Sequence, residues 1–526
     1  MRIHSQWKKL FIVVPVLLAV FCLAATPTSR QRPLGSNTPL FLPAVPYSSG
    51  GSGAHSTAAA YLNGDGKVDL AVANTDSNTV GILLGSGDGT FKPAVTYDSG
   101  GDPTSVEEAD VNGDGKPDLV VANYNSATVG VLLGNGDGTF QTVVTYGSGG
   151  KFAWSVAVAD VNGDGKPDLL VTNQCVNISD CAHSSVGVLL GNGDGTFQAA
   201  VTYDSGGVSA LWVTVADVNG DGKPDLLVAN FNTGTVGVLL GNGDGTFQSA
   251  ISYSSGGDGA YSVAVADVNN DGKPDLVVAN ADSNTVSVLL GNGDATFQSA
   301  VSYASGGSQD RSVAVADVNG DGKPDLLVAN ACAGSGDCAN GVVGVLLGKG
   351  DGTFQAAVTY ESGGFAAQRI AVADVNADGR PDLLVANCGP NGATFCGSGV
   401  VGVLLNNTAD TTPPVITLSA TPKVLWPPTG KMVPVTVSGT ITDTGSGVNV
   451  NSAAYAVKDE YGEVQPKGSL TLGVGGSYSF TVLLQASRLG PDRDGRRYMI
   501  TVRASDNAGN SGSKTGVVTV PHDQGN

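Results

Sequence analysis

The phrase ADVNGDGKPDL returns along the chain in near-identical form, its leading aspartate at Asp110, Asp160, Asp217, Asp267, Asp317 and Asp374. A degenerate seventh copy, AYLNGDGKVDL, puts Tyr61 at that place. Successive copies lie 49, 50, 57, 50, 50 and 57 residues apart. A repeat of this length is one supersecondary unit, which buries its apolar face only by stacking on a neighbour.

One unit, Ser155 to Tyr203, holds four short apolar runs: SVAVAD, DLLVTN, VGVLLG and TFQAAVTY. The first alternates with period two and the second is continuously apolar. Between them stand Gly/Asn/Asp turns that supply the φ > 0 positions of tight hairpins. Four antiparallel strands repeated seven times predict an all-β, seven-bladed β-propeller. A linear β-solenoid is the alternative, although its repeats are usually shorter. The ends of the array favour a ring. The last copy stops at Val401–Thr408 without a fourth strand, and the missing piece precedes the first copy. There, Phe41-Leu-Pro-Ala-Val-Pro-Tyr47 parallels Phe91-Lys-Pro-Ala-Val-Thr-Tyr97. Such a strand would remove the open edge.

The turn between the first two runs carries the chemistry. From Asp160 to Asp168, side-chain oxygens stand at positions 1, 3, 5 and 9: Asp160, Asn162, Asp164 and Asp168, with the Lys166 carbonyl at position 7. A hard cation that takes six to eight oxygens suits this set, and glycine at position 6 lets the loop fold back; Mg²⁺ keeps more water. No bidentate Glu stands at position 12, so this is not an EF-hand. The ligands recur as Asp110, Asn112, Asp114, Asp118; Asp217, Asn219, Asp221, Asp225; and Asp267, Asn269, Asp271, Asp275. Two more sets are Asp317, Asn319, Asp321, Asp325 and Asp374, Asn376, Asp378, Asp382. Six complete copies at one place predict Ca²⁺. Loop one keeps Asn63, Asp65 and Asp69 but has Tyr61 first, so weak binding or none is expected there.

With these loops and the GNGDGTF turns, the chain from about Phe41 to Leu405 resembles the FG-GAP/VCBS repeat proteins, a propeller family that includes the integrin α-subunit head. The resemblance implies structural calcium on one face of a seven-bladed propeller. Six complete loops are closer to the bacterial-type repeats than to integrin heads. The Asp137 equivalents of the GNGDGTF turns read as turn formers rather than ligands.

Charge now has an explanation. The chain's net charge is −20, with 47 acidic residues against 27 basic ones, and the seven loops alone hold twenty aspartates. This acidity excludes a nucleic-acid binder, which needs a basic face to displace counterions.

Arg2, Lys8 and Lys9 before the apolar run Leu10–Ala25 read as a secretory signal over residues 1–25, with a linker over 26–38 and the propeller over 39–407. Sixteen apolar residues fall short of a membrane span. Outside that signal, six cysteines fall into close pairs, Cys175 with Cys181, Cys332 with Cys338 and Cys388 with Cys396. In an exported chain they read as three local disulfides, with a zinc site as the alternative. Residues 408–414 form a Pro-rich linker, and 415–526 read as a small β-sandwich resembling a bacterial immunoglobulin-like module, without the Cys…Trp…Cys signature. In that tail, Asp506 and Asn507 read as a plain turn, with a cation site as the alternative.

The copies differ mainly at the entry to the first strand. Six residues before each loop stand His55, Thr104, Trp154, Leu211, Tyr261, Arg311 and Gln368. In a propeller these would ring one channel mouth, opposite the calcium loops. Trp154, Trp212 and Tyr261 are the candidate ligand-face residues. The expected function is therefore a secreted or cell-surface, non-catalytic adhesion or interaction protein whose partner is an extracellular protein or a glycan. A lectin-like protein is the alternative, and a module of a polysaccharide-active enzyme a weaker one. His55 and His183 lack partners recognisable as a triad.

Overall fold

The computed structural model describes residues 39–334, 338–390, 396–408, 413–443, 447–488, 495–506 and 509–522. The signal and linker expected over 1–38, most of the linker over 408–414, and Asn507 lie outside the described residues. Extended residues make up 54% of the described residues, among which no α-helix occurs. None of the described helices is long and apolar enough to cross a membrane. The chain divides into two compact units, residues 1–376 with 381–407, and residues 377–380 with 408–526.

The first unit contains seven four-stranded antiparallel sheets. In one of them, Lys151–Ala159, Asp168–Cys175, Ser185–Leu189 and Val201–Asp204 pair in sequence order. The continuously apolar second strand is buried on both faces, as Leu169, Leu170 and Val171 at 0% exposure attest. One sheet is assembled differently. Gly364–Ala373, Asp382–Pro390 and Ser398–Leu404 take their fourth strand from the N-terminal segment Val45–Ser52. Phe41 forms the same bridge to Asn406 that Phe91 forms to Gly85.

Neighbouring sheets share their cores. Val120 and Val131 of one sheet pack with Val156, Leu169 and Leu189 of the next. Leu70, Val72 and Leu83 of the first copy likewise pack with Leu384, Val401 and Val403 of the last. A tyrosine that ends each sheet meets the phenylalanine of the following sheet's turn edge-on. Tyr97–Phe140, Tyr146–Phe197 and Phe41–Tyr360 all have ring centroids 5.4 Å apart. Aromatic edge-to-face pairs add roughly 0.5–1.5 kcal/mol beyond their burial. The repeated four-stranded sheets fit a β-propeller.

The second unit is built from two four-stranded antiparallel sheets around a single core. Met432–Thr442 pairs with Val415–Ile416, Ser419–Thr421 and Ser477–Gln485. Arg496–Ser505 pairs with Ala454–Asp459 and Ser511–Val520, and Lys467–Ser469 completes that sheet. Inside lies an ion pair that no sequence pattern announces. Arg496 is 0% exposed, pairs with Asp459 and Glu463, and lies against the rings of Tyr461 and Tyr498. Asp506 holds a turn, accepting from the backbone N–H and side-chain amide of Asn510.

Two predictions follow from this packing. Ala295 occupies, at φ 63°, the turn position where other copies have glycine. A left-handed residue with a Cβ costs roughly 1–2 kcal/mol, offset partly by the unfolded-chain entropy that glycine restores. Ala295→Gly should therefore stabilise the protein by about 0.5–1 kcal/mol in denaturant titration. In the second unit, burial raises the Asp459 pKa, but the Arg496 guanidinium and the Val464 and Tyr461 N–H groups outweigh it and hold the carboxyl below its ordinary range. The stability it contributes is present above the unfolded value of about 3.9 and is lost as pH falls through the folded value. Calorimetry should show this unit weakening below about pH 4, with a flatter acid limb in Asp459→Asn. That variant should also lose up to roughly 3–5 kcal/mol at neutral pH, because buried Arg496 keeps only the exposed Glu463 carboxylate as its counter-charge.

Candidate functional site

Each aspartate-rich turn joins the first two strands of a sheet. In the turn that begins at Asp160, the first aspartate accepts from Gly163 N at 2.7 Å and, through its other oxygen, from Gly165 N at 2.7 Å. Asn162 Oδ1 accepts from Asp164 N at 2.9 Å, and Asp164 Oδ1 from Lys166 N at 3.0 Å. The outer Asp164 oxygen faces Lys166 Nζ at 3.5 Å, and the same pairing occurs between Lys116 and Asp114, Lys223 and Asp221, and Lys323 and Asp321. Position 4 is left-handed throughout. Where glycine is replaced there, Asn270 has φ 60° and Ala377 φ 58°.

Position 9 has a different role. Asp168 is 0% exposed and accepts Val161 N at 3.0 Å on one oxygen and Gly191 N at 2.8 Å on the other. Gly191 belongs to the turn between the third and fourth strands, so the carboxylate ties the two turns of a sheet together. All seven copies repeat this, from Asp69 with Leu62 and Gly85 to Asp382 with Val375 and Asn406. Burial pushes the Asp118, Asp275 and Asp325 carboxyls up to about 6 against the two N–H groups that favour ionisation.

The turns also interlock between copies. Gly138 N donates to Leu62 O, Gly245 N to Val161 O, and Gly89 N to Val375 O of the last copy. The Asp137 equivalents shape these turns: Asp137 Oδ1 accepts Thr139 N at 3.0 Å and Thr139 Oγ1 at 2.5 Å.

The donor set is all oxygen, which suits a hard cation, and positions 1, 3 and 5 lie on an exposed or half-exposed loop. Among the described residues, no three Asp, Glu, His or Cys side chains converge as a metal-holding group. The position 9 carboxylate is engaged by the backbone, although each oxygen has a second lone pair. In the first copy the loop keeps its shape without a leading aspartate, through Asn63, Asp65 and Asp69. The three disulfides Cys175–Cys181, Cys332–Cys338 and Cys388–Cys396 are formed.

A second feature is a shallow, open recess with room for about one water, lined by His55, Trp154, Trp212, Tyr261, Arg311 and Arg369, with Gln368, Thr104, Ser105 and Ser155. The three aromatic residues singled out from the sequence thus share one depression. Leu211, expected beside them, is 4% exposed and does not line it; the indole of the next residue, Trp212, does. Tyr261 stands edge-on to Trp154 at 6.2 Å, and Trp154 edge-on to His55 at 5.1 Å. His55 Nδ1 bonds Thr104 O at 2.7 Å. Burial and the charges of Arg311 and Arg369 push its pKa down to about 4, so it is neutral at physiological pH.

Sequence reasoning missed the cross-copy ion pair at this recess. Arg369 of the last copy reaches Glu107 of the second at 2.5 Å, donates to Ser56 and Ser105 Oγ, and lies 4.2 Å over the Trp212 ring. The signal was available, because SVEEAD replaces SVAVAD in the second copy and QRIAVAD departs from it in the last.

Fold and turns together define a β-propeller-type repeat protein with an aspartate-rich turn in every sheet. The FG-GAP-like repeat model matches residues 61–121, 110–171, 176–228, 217–278, 267–328 and 331–385, and an FG-GAP repeat model matches 311–346. These matches span more than half of the chain, and it belongs to the FG-GAP-like repeat family. No curated protein matches it. Among solved structures, BBS1N from its complex with ARL6DN is 12% identical, with a TM-score of 0.47 over 70% of this chain and 98% of that one. A functionally unknown Desulfotomaculum acetoxidans protein is 13% identical, with a TM-score of 0.42 over 64% and 88%. The Pseudomonas aeruginosa periplasmic gluconolactonase PpgL is 18% identical, with a TM-score of 0.43 over 58% and 85%. Likenesses this remote carry no argument.

The two aspartate positions should separate in mutagenesis. Asp168→Asn puts an amide donor against a backbone N–H and should cost about 1–3 kcal/mol with or without calcium. The Asp164 side chain accepts only from its own loop and faces Lys166, so Asp164→Asn should leave the melting temperature in chelator nearly unchanged.

Proposed function

We propose that the chain is a secreted or cell-surface, calcium-stabilised, seven-bladed propeller of the FG-GAP/VCBS type with an immunoglobulin-like C-terminal module, acting as a non-catalytic adhesion or interaction protein. One contrast carries the reading: the aspartate turns are nearly invariant from copy to copy, whereas the residues around the recess differ in almost every copy. Uniform turns suit a structural task, and a divergent ring suits recognition of one partner. Glu107, an acid near the recess, is tied to Arg369, which supports binding over catalysis.

In each of the six complete loops Asp160, Asn162, Asp164 and the Lys166 carbonyl, or their equivalents, would hold the ion, with the remaining lone pairs of Asp168 completing the set. Bound Ca²⁺ supplies positive charge that offsets the clustered carboxylates and cross-links the turn. The chain's own contribution is the position 9 brace, which keeps the loop in place between the two turns. Three disulfides support an oxidising, extracellular setting. A glycan-binding reading is the second one, favoured by the gathering of Trp154, Trp212 and Tyr261 with hydrogen-bonding side chains.

Calcium removal should lower the melting temperature, since a site at 100 times its Kd adds about 2.7 kcal/mol by mass action. An identical melting curve in chelator would rule out structural calcium. A pull-down with the exported protein in millimolar calcium, beside a glycan array and a hydrolase and lyase screen, separates binder from enzyme. Turnover of any polysaccharide would sink the non-catalytic reading.

A further inference from the structure

Six of the seven copies carry a small apolar residue seven places before the loop: Ala54, Pro103, Ala153, Ala210, Ala260 and Ala367. The sixth copy carries Asp310 there, and its side chain is 0% exposed. Asp310 enters the strand Ser308–Ala316 directly before Arg311 and stands opposite Asn330 of the strand Asp325–Cys332. Residues directly opposite in an antiparallel ladder share a face, with Cβ atoms about 4.5–5.5 Å apart.

Around this pair the hydrogen bonds leave an ionised acid one donor short. In the third and seventh copies a serine donates to the asparagine, Ser148 Oγ to Asn173 Oδ1 and Ser362 Oγ to Asn387 Oδ1, both at 2.6 Å. In the sixth copy Ser305 Oγ donates to Asp310 Oδ1 at 2.9 Å instead. The Asn330 amide N–H donates to Val328 O at 3.2 Å, as that of Asn387 does to Val385 O. Asp310 Oδ2 and Asn330 Oδ1 are thereby two buried acceptors without a donor. Each such orphan costs its desolvation in full. An ionised aspartate only accepts, whereas a protonated one carries an O–H donor. One proton on Asp310 Oδ2 gives both oxygens a partner and needs no extra room.

Charge in the surrounding elements offers no substitute. Arg311, the next residue on the strand, lines the recess, and Arg369 of the following sheet pairs with Glu107. Asp258 and Asp282 lie in turns of the preceding sheet, and Asp325, on the opposing strand, accepts from Val318 N of its own loop. Among the described residues no cation pairs with Asp310, and burial, opposed by the Ser305 hydroxyl, pushes its carboxyl up to about 7.

We propose that Asp310 is a proton-loaded latch at the junction of the fifth and sixth copies. Protonated, it donates to Asn330 Oδ1 and accepts from Ser305, whose backbone N–H donates to Asn284 O of the fifth copy at 3.5 Å. Deprotonated, it is a buried anion without a counter-charge, and the strand entry that carries Gln309 and Arg311 loosens to admit water. The neutral acid stabilises the fold fully below the unfolded value of about 3.9, and that contribution is lost as pH rises through about 7. The rim that holds Arg311 is therefore firm in weak acid and loose in alkali.

The test compares the full exported chain with Asp310→Asn and Asp310→Ala in saturating calcium, from about pH 5 to about pH 9. Asparagine offers the N–H that stands in for the proton, and alanine is the residue of five other copies, so both variants should fold. Taking each variant against wild type cancels the titration of the loop carboxylates. Native-state hydrogen exchange over Ser308–Ala316 should give a wild-type opening constant that, relative to either variant, rises by up to about tenfold per pH unit until about pH 7 and then levels off. Infrared difference spectra between wild type and Asp310→Asn should show a protonated carboxyl at about pH 6 that fades by about pH 8. A ratio that stays flat across the range would overturn the proposal. So would a carboxyl already ionised at about pH 6, which would mean that a buried water serves Asp310 in place of the proton.

Discussion

A buried carboxylate that accepts two backbone N–H groups holds each sheet of the first unit together. Asp168 takes one N–H from the turn between the first two strands and one from the turn between the last two. Turn backbone groups inside a protein must be paired, because an orphan costs about as much as a lost hydrogen bond. One side chain does this for two turns at once. With the turns fixed, the strands between them run in register and the Tyr–Phe contacts between sheets fall at the same place in every copy.

The brace also makes the turn independent of its leading aspartate. The first copy has lost its leading aspartate to Tyr61, yet Asp69 still accepts from Leu62 N and Gly85 N, and the turn survives. Position 9 serves the backbone of both turns, whereas positions 1, 3 and 5 accept only from N–H groups of their own loop. The lysines at position 7 moderate the repulsion among the outer carboxylates, at distances of 3.5–4.0 Å where solvent keeps such pairs weak.

The recess follows another logic. Its side chains come from different copies, at strand entries where no turn is held. There the repeat relaxes and single substitutions meet across copies: Glu107 finds Arg369, Trp154 finds Tyr261, and Arg311 finds Gln368. A repetitive scaffold thus acquires one non-repetitive place. The second unit shows the same dependence on distant partners, since Arg496 is buried only because Asp459 and Glu463 come from another strand and its following turn.

Period and turn chemistry alone determine the all-β repeat, its four-strand unit, the role of Asp137 as a turn former and the cysteine pairing, because each depends on residues close together in the chain. The same local arithmetic matches Phe41–Tyr47 to the missing strand. What the strand entries assemble belongs to the tertiary structure. Trp212 rather than Leu211 lines the recess, Asp168 is turned inward onto two N–H groups, and Arg369 reaches Glu107 some 260 positions away. Side-chain direction and partnership across copies arise only when the sheets stack, and one repeat read by itself contains neither.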